Sequence, residues 1–368
     1  ALVRALFHAF EQPEDAAKDY LDLVALGTVA DLAPLTGENR ALVIEGLRKL
    51  NKARKPGVRA LMQVAGIAPG ACDAEGIGFG LGPRLNAAGR LESALLAYDL
   101  LTAEDDETAA ALAGQLQQLN RKRQEMTLQM QAIAVEKAGM RDGEPPPPLI
   151  FAADREFNQG IVGLVASRLT EQFYRPAVVV QCGERESHGS CRSIPEFHIT
   201  HALDQCTDLL VRHGGHAAAA GFTVRNEQIE ALSARLLEIA AGQLDGLDLT
   251  PTLDIDAEAT LPELTELLAD ELKRLEPTGV ENPKPVLATR NVRAVSGRRV
   301  GAEGRHLAFR VWDGTHHREA IAFRMGDLLS EVEGLLVDVA YQLQINEWNG
   351  QRNVQLNVLD IARPAYGP

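Results

Sequence analysis

Cysteine is scarce in this chain of 368 residues. Its four cysteines, Cys72, Cys182, Cys191 and Cys206, are irregularly spaced, which excludes the paired framework of a disulfide-rich secreted fold and fits a reducing, cytoplasmic compartment. No C-x-x-C pair occurs. So although Cys182, His188, Cys191, His198 and His201 fall close together, the knuckle spacing of a structural zinc is missing. No run of apolar residues is long enough to span a bilayer. The opening ALVRALFHAF has no small-residue cleavage site, so it reads as an interior helix cut open rather than a signal peptide. Gly76, Gly78, Gly80 and Gly82 do not meet the G-x-G-x-x-G spacing, which excludes a dinucleotide loop there.

With 45% hydrophobic, 24% charged and only 5% aromatic residues, the composition is that of a globular protein, and the length suggests two or three domains. The net charge of −14 weighs against nucleic acid as a statement about the whole chain. Local distribution matters more. Arg48, Lys49, Lys52, Arg54, Lys55 and Arg59 form a run with no acidic residue. Lys284, Arg290, Arg293, Arg298, Arg299, Arg305 and Arg310 form another, broken only by Glu303, and acidity gathers at Asp254 to Glu276. Such polarity suits one face turned toward phosphates; the alternative for either run is a solvated basic face with no ligand.

The first hundred or so residues read as the end of an α/β domain, in which LDLVALGTVAD forms a buried strand leading into a loop that carries Asp31. A Thr-Ala-Glu-Asp cap at Thr102 opens a helical stretch with Leu112, Leu116, Leu119, Met126, Met130 and Ile133 in 4-3 spacing. Carried to Ala138 it would be roughly 50 Å long, the length of a connector; Gly114 and Asn120 leave open a hairpin broken near its middle. GEPPPP, Gly143 to Pro148, marks the clearest boundary. Beyond it, strands at Leu149–Ala153, Ala177–Gln181, Ser187–Ile194 and Ala219–Val224 alternate with helices at Gly160–Phe173, His198–Leu210 and Glu227–Ala241, an α/β domain. HLAFRVW, REAIAF, VDVAYQLQI and NVQLNVLDI, with a hairpin turn at Asn349-Gly350, then suggest a small β-barrel. The expected division is 1–101, 102–142, 147–247 and 250–366.

Three places could carry chemistry. In RHGGHAAAAG, Gly214 and Gly215 leave backbone N–H groups bare beside His216, a pattern suited to an anion. The alternative for His216 is a buried histidine bonded to a carbonyl, and His213 reads as structural. Ser190 and Arg192, two apart in HGSCRSI, point to one side of a strand and can hold one phosphate together, with Ser193 facing away. Asp31 at a strand end has the placement of a hard-cation ligand, though a lone aspartate is more often a helix cap.

The glycine-glycine-histidine segment resembles the signature of the DHH-associated domain, and VALGTVADLAPL resembles the last metal-ligand motif of the DHH domain. With GPRLNAAGRL at Gly82–Leu91 and IVGLVASRL at Ile161–Leu169, the chain is similar to the RecJ-type members of the DHH phosphoesterase superfamily. That resemblance implies a fold class of α/β type: the end of a DHH domain, a long connecting helix, a DHH-associated domain and a C-terminal OB-like barrel. It also implies a two-metal 5′→3′ exonuclease acting on single-stranded DNA in repair and recombination, with Mn²⁺ or Mg²⁺ bound in part by Asp31. Arg90, assisted by Arg84 and Asn86, is then placed at the substrate pocket, where a guanidinium grips phosphate oxygens bidentately; the alternative for Arg90 is a surface ion pair. Ser190 and Arg192 become a pocket for the DNA 5′ end, and Gly214, Gly215 and His216 contact substrate phosphate. Single-strand-binding protein and a RecQ-type helicase are the implied partners, and no membrane is. No Asp-His-His triplet occurs in the sequence, so the chain is expected to be the C-terminal portion of a longer protein and inactive alone. EFNQGIVGL with Asn158, and EPTG with Thr278, depart from the family's usual histidine and EPFG. The alternatives are a non-catalytic single-strand-binding or replication scaffold module, and a phosphodiesterase acting on short oligonucleotides or cyclic dinucleotides, which would need no barrel.

Overall fold

The computed structural model describes residues 2–11, 13–141, 143–348 and 351–364. It divides into two compact bodies, one of Lys49–Cys72 with Gly76–Pro251, the other of Ala1–Arg48, Asp73–Glu75 and Thr252–Pro368. Among the described residues no strand precedes Ile150. The chain begins instead with α1 (Leu2–Ala9), α2 (Leu21–Ala30), α3 (Gly37–Leu50), α4 (Pro56–Ala65), α5 (Gly82–Leu91), α6 (Leu95–Thr102) and α7 (Asp106–Lys137). The strand expected at LDLVALGTVAD is therefore a helix, α2. Its apolar residues fall on all sides, so periodicity could not separate the two conformations. The helix end shows why it closes: Leu32 N–H bonds Val29 O and Ala33 N–H bonds Thr28 O, both at 3.1 Å, a Schellman ending that leaves Asp31 as C-cap. Gly46 of α3 lets the backbone of α2 pass close, because a Cβ there would overlap the Leu21 carbonyl oxygen and Ala25. No described helix is long and apolar enough to cross a membrane.

Helix α7 spans 32 residues, about 48 Å. Asp105, not Thr102, caps it, its carboxylate accepting from Thr108 N–H at 2.8 Å. The helix runs unbroken through Gly114 and Asn120. Asn120 is buried and accepts from Arg123 Nη2 at 3.0 Å, and the Thr127 hydroxyl donates to the Arg123 carbonyl at 2.6 Å. Packing lines its whole length. Ala109, Ala113 and Leu116 are buried in the half that meets α4, α5 and α6. Met130 and Ala134 join a core with Ile150, Val165 and Leu169 in the other. Leu112, Met126 and Ile133 stay half-buried, at the margin of a buried stripe that combines Ala109, Ala113 and Ala134 with Leu116, Leu119 and Met130. A 2.9 Å ion pair from Lys137 to Asp154 fastens its end.

The rest of this body is a five-stranded sheet, β1 (Ile150–Asp154), β2 (Ala177–Gln181), β3 (Glu186–Arg192), β4 (Leu210–Gly215) and β5 (Ala219–Arg225), in the order β1-β2-β3-β5-β4, with α8 (Val162–Phe173), α9 (Ile199–Asp204) and α10 (Ile229–Leu244). Only β1 and β2 are parallel. The helix expected to reach Leu210 stops at Asp204. The glycine-glycine-histidine segment, expected as a loop, is a strand through Gly215, with His216 opening the turn into β5. A register shift at Val211 hides its alternation from the sequence.

In the other body β7 (Leu287–Val300), β8 (His306–Trp312), β9 (His317–Ala322), β10 (Leu336–Trp348) and β11 (Gln351–Ala362) follow a short β6 (Ala257–Glu258) and α11 (Glu266–Leu272), with α12 (Leu329–Val332) before β10. Pairings β7-β8-β9-β11-β10 and β10–β7 close a five-stranded barrel, as expected of an OB fold. Its core includes Phe309, Leu356 and Tyr341, whose hydroxyl meets Thr289 Oγ1 at 2.7 Å. Strand β7 was hidden in the sequence because its outward positions are arginines. The expected turn at Asn349-Gly350 lies outside the described residues. Much of the positive charge of the two basic runs is paired: Arg48 with Glu45, Arg59 with Asp106, Lys284 with Glu75, Arg290 with Glu258, Arg299 with Asp327 and Arg310 with Glu319.

Two glycines in helices should respond oppositely to alanine. A Cβ at Gly57 would overlap the Leu100 carbonyl, whereas Gly114 on α7 has open space. In chemical denaturation, Gly57→Ala should lose on the order of 2 kcal/mol by overpacking, and Gly114→Ala should gain roughly 0.5–1 kcal/mol from helix propensity.

Candidate anion-binding cleft

Where the end of α5, the segment leading into α8 and the face of β3, β4 and β5 meet, the first body opens a cleft of about 630 Å³. Arg90, Arg192 and Arg212 line it with His188 and His213, and among the described residues no Asp or Glu does. Gly89, Gly160, Gly163, Gly189, Gly214 and Gly221 supply much of its surface. Two of these are sterically required. A Cβ on Gly160 would overlap the Arg90 carbonyl oxygen, and one on Gly189 would run into the Phe222 ring. Gly214 has open space before it, so its bare backbone faces the cavity.

Arg90 donates from Nη1 to Gly160 O at 3.2 Å, which ties the end of α5 to the loop before α8. Asn158 shapes that loop by accepting from Gly160 N–H at 2.9 Å. Burial, and then the neighbouring Arg192, lower the pKa of Arg90 from the usual guanidinium range, although such a group stays charged. On β3, Ser190 and Arg192 share a side. Arg192 Nη1 reaches Cys191 O at 2.8 Å and Ser190 Oγ at 3.4 Å. Cys191 points the other way, fully buried, its thiol pushed up to about 12 by desolvation and so unsuited to bind metal or attack. Arg212 Nε donates to Thr223 Oγ1 at 3.1 Å, and His188 Nδ1 meets the same hydroxyl at 3.2 Å. His213 Nε2 pairs with Asp204 at 2.8 Å. Among the described residues no carboxylate lies within ion-pair distance of Arg90, Arg192 or Arg212. Three fixed guanidinium groups sharing one cavity without a counter-charge repel each other until an anion enters, and bidentate forks match phosphate oxygens.

Other residues named from the sequence lie elsewhere. Arg84 is occupied by Gln117 Oε1 at 2.7 Å, Gly80 O at 2.6 Å and Val64 O at 3.2 Å, and is outside the lining. Asn86 is exposed. Gly215 takes the close approach of Ala219 and Ala220 that only a glycine allows. His216 is exposed, its N–H bonding Ala219 O at 2.8 Å and its carbonyl accepting from Thr200 Oγ1 at 2.7 Å, so its imidazole is free of the fold. Asp31 belongs to the other body and is exposed, next to Leu32, a 70% exposed leucine held at a φ of +56°. Strain of this kind clusters at functional sites. Among the described residues no three His, Cys, Asp or Glu side chains converge to hold a metal ion. Sequence reading missed Arg212, His188 and Gly160. His188 continues the alternation of Ser190 and Arg192 two positions earlier, a signal that could have found it.

The chain as a whole matches known proteins. The DHHA1 domain model covers residues 147–242 and the RecJ OB domain model covers 255–360. The single-stranded-DNA-specific exonuclease RecJ of Bacillus subtilis is 36% identical over 347 residues, 94% of this chain and 44% of that protein. Its counterpart in Thermus thermophilus is 37% identical over 94% of this chain and 48% of its own length. The chain belongs to the RecJ family. A crystal structure of RecJ in complex with Mn²⁺ from Thermus thermophilus superposes with a TM-score of 0.85 at 34% identity, covering 98% of this chain and 52% of that one. A second, with Mg²⁺, gives 0.84. The chain thus spans about half the length of these RecJ relatives. Within the family frame, β3, β4 and β5 and the start of α8 fall in the DHHA1 match and Arg90 precedes it.

An anion should stabilise this protein beyond ionic strength. At a hundred times its dissociation constant, phosphate should add about 2.7 kcal/mol over sodium chloride of matched ionic strength in thermal unfolding, and Arg192→Ala should erase most of the difference.

Proposed function

We propose that the chain is the substrate-handling portion of a 5′→3′ exonuclease acting on single-stranded DNA, and that the arginine cleft holds the 5′-terminal phosphate. The observation that carries this reading is the set of three arginines on a glycine floor with no carboxylate in the lining. Relatives named as single-stranded-DNA-specific exonucleases support it. Ser190 and Arg192 engage the terminal phosphate from β3, Arg90 closes on it from α5, and Arg212 with the Gly214 backbone bounds it from β4. A terminal phosphate pinned at one point leaves one bond within reach of the hydrolytic centre, which is the origin of polarity. The barrel supports single strands through backbone electrostatics and stacking, as such folds do. His216, with its imidazole exposed beyond the β4 end, is assigned to substrate phosphate. Four functional segments, 1–101, 102–142, 147–247 and 250–366, are part of the same proposal.

Hydrolysis in this reading uses Mn²⁺ or Mg²⁺, the ions in the related crystal structures. Asp31 is proposed as one ligand. The described residues supply no further cluster, so the chain's own part is to bind, orient and hold the strand. We place the protein in the cytoplasm, in DNA repair and recombination, with single-strand-binding protein and a RecQ-type helicase as partners.

The test is degradation of 5′-phosphorylated single-stranded DNA labelled at its 3′ end, with Mn²⁺, by this chain alone and by one extended upstream through an Asp-His-His region. The expected result is mononucleotide release from the 5′ end by the extended chain only; binding without cleavage by both would favour a scaffold. In the extended protein Asp31→Ala should abolish cleavage while leaving DNA affinity within a few fold. Arg192→Ala should lose on the order of tenfold or more on 5′-phosphorylated over 5′-hydroxyl DNA, and equal losses on both ends would refute the pocket.

A further inference from the structure

The arginines of the cleft are backed by others. Arg123, in the middle of α7, has its Nε fully buried and, among the described residues, without a hydrogen-bond partner, while Nη2 donates to Asn120 Oδ1. One turn on, Met126 packs against the cluster that contains Val162, a cleft-lining residue, as does Leu91, the neighbour of Arg90. Arg123 therefore sits where α7, the end of α5 and α8 come together. Its charge is felt there: burial first, then Arg90 and Arg168, lower its pKa from the ordinary guanidinium range. Arg168 lies on α8, and among the described residues neither Arg123 nor Arg168 has a carboxylate within ion-pair distance. Arg192, Arg90, Arg123 and Arg168 thus form a chain of positive groups, each within electrostatic reach of the next, that extends from the cleft to half-buried positions on α7 and α8. A buried donor without a partner and a file of like charges are both costly features in a folded chain. Retaining them makes physical sense where an anion of more than one charge enters at the open end.

We infer that Arg123 and Arg168 form a second rank behind Arg90 and Arg192 that selects a doubly charged terminal phosphomonoester over the singly charged phosphodiester of an internal position. The inference rests on the proposed reading of the cleft as a 5′-phosphate site. Arg123 acts as a positioning residue through space and through Arg90. An internal diester brings one negative charge and is satisfied by the first rank. A terminal phosphate above its second ionisation, near pH 6, brings close to two, and the second rank stabilises the additional charge.

Fluorescence anisotropy of the whole chain with 5′-phosphorylated and 5′-hydroxyl oligonucleotides of one sequence, at about pH 7.5 and fixed salt, tests this. Arg123→Gln should reduce the preference for the 5′-phosphate by roughly three- to tenfold while leaving affinity for the 5′-hydroxyl strand unchanged. Arg123→Lys, which keeps the charge, should retain most of the preference. Arg168→Gln should act in the same direction as Arg123→Gln, and it carries the test if the α7 variant does not fold. An undiminished preference in the glutamine variants overturns the inference, and so does an equal loss in glutamine and lysine variants, which would mark shape rather than charge. A wild-type chain with no preference for the phosphate would instead overturn the reading of the cleft.

Discussion

The close approach of the Arg90 backbone to Gly160 is the constraint on which the cleft depends. Any side chain at 160 would overlap the Arg90 carbonyl, so the end of α5 and the loop before α8 can approach this closely only with glycine there, and Arg90 Nη1 returns a hydrogen bond to Gly160 O. That contact fixes one guanidinium against the face of β3, where Ser190 and Arg192 stand on the same side. Helix α7 holds the arrangement from behind, packing against α5 at one end and the sheet domain at the other. The cleft is therefore built on helices and strands, and each of its arginines carries a hydrogen bond to the fold around it.

Charge in this molecule is organised by space rather than by sequence. The two basic runs look like phosphate-facing surfaces when read along the chain, yet several of their members meet carboxylates brought in by folding, as Arg59 meets Asp106 and Arg290 meets Glu258. Exposed pairs of that kind contribute little stability, but they remove excess charge from the surface. In the cleft, by contrast, Arg90, Arg192 and Arg212 bring together charge without a carboxylate partner from residues scattered over more than a hundred positions of a chain whose net charge is −14. An acidic protein can handle a polyanion when its cations are concentrated in one cavity.

Much of the domain after the proline-rich break was legible in the sequence, because β1 and β2 are short apolar runs bounded by turn signals and α8 carries a helical period. Four of the barrel strands were equally clear from alternation. β7 was not, since its arginines read as a basic patch rather than as the outward half of a strand. The segment before Asp31 was misread as a strand because an apolar run uniform on all sides has no period to measure, and its ending depends on Leu32 adopting a left-handed conformation that leucine rarely takes. Within the cleft, Ser190 and Arg192 could be paired from spacing alone. Arg212 and Gly160 could not, as their roles come from strand pairing and a tertiary contact. Asp31 and His216 were singled out by motif, and the structure leaves both side chains exposed.

The most direct measurement is a crystal structure of this chain with a short 5′-phosphorylated oligonucleotide. The account predicts the terminal phosphate within hydrogen-bond distance of Ser190, Arg192 and Arg90, with the next nucleotides leaving past Gly214. A strand bound on the barrel or along the basic runs, with its 5′ phosphate outside the cleft, would contradict it.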